Sequence, residues 1–199
     1  MLSIRRLEPS SPPSEIDAAS ELLTSVFADD QLTRIVSSPV PGLHAARTRS
    51  TLVTGVLDLA VFTAHESECE KLLGVLILKP PGIVDRHSDV VLANYARLRS
   101  HVHKLEEDAF GGVTNLWFVS FVGVSPEAQG KGVGRVLCDA AARLVRDKAD
   151  ETGVRTLALV AISEDAMRFY KRLGFEERGY VEFKVGDELV KRWAMSKEC

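Results

Sequence analysis

The chain has 199 residues, of which 45% are hydrophobic and 27% charged, and a formal net charge of -3. That length suits one well-buried domain, the composition excludes a disordered or fibrous chain, and the weakly acidic balance lacks the basic excess of a nucleic-acid binder. Three cysteines, Cys69, Cys138 and Cys199, are odd in number and far apart. They fit a reducing compartment rather than a disulfide framework or a zinc cluster. The first residues carry no apolar leader and no apolar stretch reaches bilayer length, so the expectation is a cytoplasmic or nuclear protein without a membrane or nucleic-acid partner.

In chain order, "LSIRRL" (Leu2 to Leu7) alternates as a strand does. The Pro/Ser cluster from Pro9 to Ser14 breaks it before a helical pattern over Glu15 to Ala28. A second helix is predicted through "LHAARTRSTLVTGVL". Leu59 to His65 and Leu72 to Lys79 read as an antiparallel hairpin, ended by Pro80, Pro81 and Gly82. Asp89 to Glu107 has helical periodicity, stopped by "FGGVTN". "LWFVSFVGV" (Leu116 to Val124) is apolar on both alternating faces, as a central strand covered on both sides would be. A helix follows with an apolar stripe at Val133, Val136, Leu137, Ala140, Ala141, Leu144 and Val145. "RTLALVAI" is a further buried strand; Ser163 then offers a helix N-cap, and Gly174 suits the left-handed position after the helix. Two alternating segments flank the turn Gly186-Asp187. The order predicts one mixed α/β domain over residues 1–199 with a single parallel βαβ unit at its middle.

"SPEAQGKGVGRVL" sets Gly130, Gly132 and Gly134 directly before a helix. A helix start leaves about four N–H groups unpaired and carries partial positive charge, and glycines there let an anion approach the backbone. Lys131 and Arg135 add full charges, so a pyrophosphate suits the stretch; the alternative is a tight strand-to-helix turn with no ligand. A Walker A loop would need Ser or Thr after Lys131, where Gly132 stands. The G-x-G-x-x-G fingerprint fails from either start, with Arg135 or Leu137 at the third glycine.

Gln129-Gly130-Lys131-Gly132-Val133-Gly134 resembles the Q/R-x-x-G-x-G/A signature of the GNAT superfamily of N-acetyltransferases. "VSFVGVSPEAQGKGVGRVL" is similar to that family's central strand, pyrophosphate loop and helix, and "SEDAMRFYKRLGFEERG" to its last helix and turn. "LILKPPG" before a long helical insertion also resembles fungal members. The likeness implies a GNAT fold. Its mostly antiparallel twisted sheet would have about six to seven strands, a parallel unit splayed at the coenzyme site and helices on both faces.

By the same resemblance the cosubstrate is acetyl-CoA and no metal takes part. Gln129 and the backbone N–H groups of Gly130, Lys131, Gly132, Val133, Gly134 and Arg135 would hold the pyrophosphate. The strand edge at Val122, Gly123 and Val124 would pair with the pantetheine arm. Phe169 and Ser163 would border the coenzyme, Ser163 standing where the family often has asparagine. The N–H of Val122 would polarise the thioester oxygen, and Tyr170 would protonate the departing thiolate. For Tyr170 the alternative is a ring buried on an amphipathic helix.

No acidic residue lies between Leu116 and Val124, where many members carry a glutamate, and Ser120 is the only hydroxyl there. A water relay or proximity would then do the work of a base. His101 and His103 lie two apart and make a poor metal pair on a helix, His65 has no distinguishing context, and Cys138 reads as packing. Glu15, Glu182 and Asp187 are carboxylates open to a cationic acceptor. The expected activity is acetyl transfer to a primary amine by direct attack in a ternary complex. The competing expectation is a non-catalytic acyl-CoA sensor. Small-molecule, peptide and protein amines all stay open as acceptors, and so do monomer and homodimer.

Overall fold

The computed structural model describes residues 1–31, 33–34, 40–58, 60–83, 89–185 and 187–199, with the side chains of residue 58 and residues 89–99 left aside. Two compact units interleave along the chain: Met1–Pro80 with Val119–Leu144, and Pro81–Phe118 with Val145–Cys199.

In the first unit, β1 (Leu2–Leu7), β2 (Ala60–Glu66) and β3 (Leu72–Lys79) form an antiparallel meander. Helices α1 (Pro13–Val26) and α2 (Leu43–Asp58) lie between β1 and β2 in sequence. Pro13 opens α1, where the missing N–H is no loss because a first-turn N–H has no partner in any case. Leu7, Ala19, Leu23, Leu52, Val56, Val61, Val75 and Ile77 form one buried cluster, so these two helices cover the face carrying Val75 and Ile77. Gly74 points to the other face, because side chains alternate along a strand. A Cβ there would lie 2.9 Å from Val133 and 3.0 Å from Leu137, on α4 (Val133–Asp147). Coverage on both faces is why β2 and β3 are almost wholly buried and read as unbroken apolar runs. Of the predicted α4 stripe, Val133, Leu137, Ala140, Ala141 and Val145 are buried and Val136 and Leu144 half-buried, with Cys138 buried beside them. Each buried leucine or valine contributes about 1.5–3 kcal/mol.

Strand β4 (Trp117–Val124) belongs to both units and gives the strand order β1-β2-β3-β4-β5-β7-β6. Its first residues pair in parallel with β5 (Thr156–Ala161), Trp117 with Leu157 and Phe118 with Ala158, and the paired stretch ends there. In the second unit β5 pairs antiparallel with β7 (Glu188–Glu198), and β7 with β6 (Glu176–Val185). The register slips between Glu177 and Gly179. At Gly179 a Cβ would stand 2.9 Å from Leu105 of α3 (Asp89–Phe110), which packs on this hairpin. The short α5 (Ala149–Thr152) and α6 (Glu164–Arg172) complete six helices among the described residues. No described helix is long and apolar enough to cross a membrane.

The mixed sheet and single parallel pair agree with the sequence reading. The differences are at element ends. Helix α1 stops at Val26 rather than Ala28, and β6 begins at Glu176, immediately after the helix turn. A 3-10 turn at Pro126–Ala128 and α5 are too short to generate a periodic signal. Gly186 of the expected final turn, and Leu59 of the expected hairpin, lie outside the described residues.

Candidate functional site

Strand β4 ends at Val124, and the 3-10 turn carries the chain into Gln129. Gly130 and Gly132 adopt φ of +76° and +84°, a region costing other residues about 1–2 kcal/mol. No atom lies within 4 Å of a Cβ built on either, so backbone conformation selects glycine here, and each added Cβ would project into open space. The Val136 N–H bonds the Gly132 carbonyl, making Gly132 the N-cap of α4. The N–H groups of Val133, Gly134 and Arg135 therefore have no carbonyl within the helix to bond. These unpaired N–H groups, beside glycines that carry no side chain, make a helix start that is open to an anion. One detail differs from the sequence expectation: the Lys131 N–H already bonds the Ala128 carbonyl at 3.3 Å, so Lys131 offers its side chain instead.

Gln129 works through its side chain too. Its Nε2 donates to the Val124 carbonyl at 3.2 Å, tying the end of β4 to the start of the glycine stretch. Gly123 is buried beneath α1, where a Cβ would meet Leu23 at 2.7 Å, while Val122 and Val124 are half-buried. Arg135 is paired with Asp139 at 3.8 Å, and Lys71 Nζ meets the Glu127 carboxylate at 2.7 Å. The Lys71 hydrogen bond, above all, holds the Glu127 carboxyl below its ordinary range, with smaller pulls from its own backbone N–H and from Lys131. The reciprocal hydrogen bond raises Lys71. Sequence could not pair residues 56 positions apart on two turns.

In the second unit, Ser163 Oγ accepts the Ala166 N–H at 3.1 Å and caps α6 as its sequence predicts. Glu164 and Asp165 in the first turn, bridged to Arg168, complement the helix dipole. At the other end the Phe175 N–H bonds the Tyr170 carbonyl at 3.1 Å and the Gly174 N–H bonds the Lys171 carbonyl at 3.1 Å. With Gly174 at φ +83° this is a Schellman turn, whose usual apolar contact is the Tyr170–Phe175 ring pair at 5.5 Å. Phe169 adds a second edge contact at 5.1 Å. The chain reversal thus fixes the half-buried ring of Tyr170 from its own backbone.

The remaining sequence candidates separate clearly. His65 is 9% exposed, with Nδ1 donating to the Glu70 carbonyl at 3.0 Å and Nε2 3.1 Å from the Thr63 hydroxyl, so both ring nitrogens are engaged. Glu15 borders a cavity of about 280 Å³ beside Arg5, His65 and Glu70. His101 stacks on Phe183 at 4.4 Å, and His103 stands 4.0 Å from Glu107; no group of metal-ligating residues forms among the described residues. Asp187 is exposed at the β6–β7 turn.

Glu182 accepts the Tyr180 hydroxyl at 2.6 Å and lies 3.8 Å from Lys191. That bond to Glu182 pushes the Tyr180 phenol up to about 12. A raised pKa means its contribution to stability is full below the ordinary phenol value of about 10 and is lost as pH rises through about 12. Absorbance titration near 295 nm should therefore find one tyrosine ionising near pH 12, and that step should vanish in Tyr180→Phe.

Residues 84–177 match the acetyltransferase (GNAT) domain family. No curated protein matches the sequence significantly. Several solved structures share the fold. The histone acetyltransferase HPA2 and related acetyltransferase of Corynebacterium glutamicum is 23% identical, TM-score 0.62, over 98% of this chain and 96% of that one. The polyamine N-acetyltransferase of Drosophila melanogaster is 17% identical, TM-score 0.69, over 99% and 100%. A mosquito arylalkylamine N-acetyltransferase-like protein, 5b, is 15% identical, TM-score 0.68, over 100% of both.

Proposed function

We propose that this chain, whose residues 84–177 match the acetyltransferase (GNAT) domain family, is a GNAT acetyltransferase that transfers the acetyl group of acetyl-CoA to a small primary amine. The observation that carries this reading is the open anion cradle at Gly130–Arg135, formed by left-handed Gly130 and Gly132 at the end of the central strand. The N–H groups of the cradle, with Lys131 and Arg135, bind the pyrophosphate, and the main chain at Val122–Val124 pairs with the pantetheine amides. Ser163 and Phe169 border the coenzyme. Since the Ser163 hydroxyl oxygen already accepts the Ala166 N–H, it has its proton to donate.

In the reaction, the amine nitrogen bonds the thioester carbon while the carbon–sulfur bond breaks. The Val122 N–H stabilises charge on the carbonyl oxygen, Tyr170 gives its proton to the coenzyme thiolate, and water accepts the proton lost by the amine. With no carboxylate between Trp117 and Val124, the unprotonated amine arises through water and proximity. The Drosophila enzyme of this fold forms N-acetylagmatine, which supports a small cationic acceptor ahead of a peptide. The same lack of a strand carboxylate favours a second reading, an acyl-CoA-binding module without turnover.

Thermal unfolding with acetyl-CoA, CoA, ATP or NADH tests the binding step. Either coenzyme at 100 times its Kd should stabilise the fold by about 2.7 kcal/mol, with no shift from ATP or NADH. Release of free thiol in the presence of agmatine, spermidine, an arylalkylamine or a peptide then separates enzyme from sensor. A coenzyme shift without thiol release selects the sensor, and no coenzyme shift removes both readings.

A further inference from the structure

Glu127 puts a negative charge four residues before Lys131, at the entrance of a loop whose other charges serve an anion. Its carboxylate feels both lysines, but the 2.7 Å contact is with Lys71, outside the loop on the β2–β3 hairpin. The hairpin is held firmly at that point. The Ser125 N–H bonds the Leu73 carbonyl at 2.8 Å, and the Glu66 N–H bonds the Lys71 carbonyl at 2.9 Å. Glu70, immediately before Lys71, is the one described non-glycine residue with positive φ, at +55°. His65 donates to its carbonyl and Arg5 pairs with its carboxylate, fixing the direction in which the chain presents Lys71.

We infer that Lys71 is a positioning residue for the coenzyme: it holds Glu127 away from Lys131, leaving the Lys131 ammonium to the phosphates. This rests on the reading of Gly130–Arg135 as the coenzyme loop. Both members of the Lys71–Glu127 pair are more than half exposed, so the pair contributes little to folding. Its consequence lies in the field met by an incoming anion. Without Lys71, Lys131 and Arg135 are balanced by Glu127 and Asp139, and Glu127 competes with the ligand for Lys131. Glu66 and Cys69, the other groups acting on Lys71, are acidic, so neither can neutralise Glu127 in its place.

The test is calorimetric titration of the full-length protein with CoA. Lys71→Ala should weaken binding about fivefold at low ionic strength and less than about twofold at about 0.5 M salt, because exposed charges are screened. Lys71→Arg should retain affinity, and Glu127→Gln added to Lys71→Ala should restore it. In a Lys131→Ala background the Lys71→Ala effect should shrink to less than about twofold, the residual repulsion from Glu127, whereas a purely structural role would persist there in full. Unchanged affinity in Lys71→Ala, or a loss that Glu127→Gln does not repair, overturns the inference while the coenzyme reading stands. Failure of the unmodified protein to bind CoA defeats the coenzyme reading and takes this inference with it.

Discussion

Replacing Tyr170 by phenylalanine should lower kcat for acetyl transfer about a hundredfold while leaving the KM for acetyl-CoA within about twofold, the pattern expected when an acid acting only in the transition state is removed. The substitution suits the site because the phenyl ring keeps both edge contacts, with Phe169 at 5.1 Å and Phe175 at 5.5 Å. It also leaves the Schellman turn intact, since that turn uses the Tyr170 carbonyl. The ring packing and the turn should therefore hold. Steady-state release of free thiol, with the amine varied at saturating acetyl-CoA, measures the effect. A kcat equal to that of the unmodified enzyme would show that Tyr170 is packing, with the thiolate protonated from elsewhere. A KM that rises while kcat holds would mark it as a binding residue instead.

Gly132→Val should abolish measurable coenzyme binding, a loss of at least about a hundredfold, by two separable effects. The first is conformational: at φ +84° a β-branched residue is strained, and about 1–2 kcal/mol lowers the midpoint of a chain this size by a few degrees. The second is spatial. The new Cβ would project into the open space at the helix N-cap, between the N–H groups and the phosphate oxygens they would meet. Gly153→Val separates the two. Gly153 also has positive φ, +68°, and nothing within 4 Å of an added Cβ, but it caps α5. It should show a similar loss of stability and normal coenzyme affinity. If both variants bind CoA alike, the cradle is a turn without a ligand.

Much of this fold is legible in the chain because local physics and burial agree. Leu2–Leu7 and Leu72–Lys79 appear with their predicted ends, since proline or polar clusters bound clear alternating or apolar runs. Ser163 and Gly174 delimit α6 for reasons that operate within a few residues: an N-cap oxygen, and a left-handed position that L side chains avoid. The glycine stretch is equally local: left-handed Gly130 and Gly132 and the helix start after them follow from residues adjacent in the chain.

Other features depend on contacts that no local pattern encodes. His65 has the same sequence context as a surface histidine, but the hairpin closing over it engages both nitrogens. Glu182, a candidate for binding a cation, is occupied by Tyr180 two residues away on the same face of β6. Gly123 lies in the strand edge expected to meet the coenzyme, but its lack of a side chain is demanded by Leu23 of α1, a hundred residues earlier. Element order, helix caps and the glycine-bearing helix start are readable in the chain because they depend on backbone geometry and side chains within one or two turns. Which charges pair, and which strand residue a helix covers, emerge once the chain has folded. Some of these contacts, such as Tyr180–Glu182, form between neighbours on one strand face; others, such as Lys71–Glu127 and Leu23–Gly123, depend on segments far apart in the chain, set by how the strands register and the helices pack.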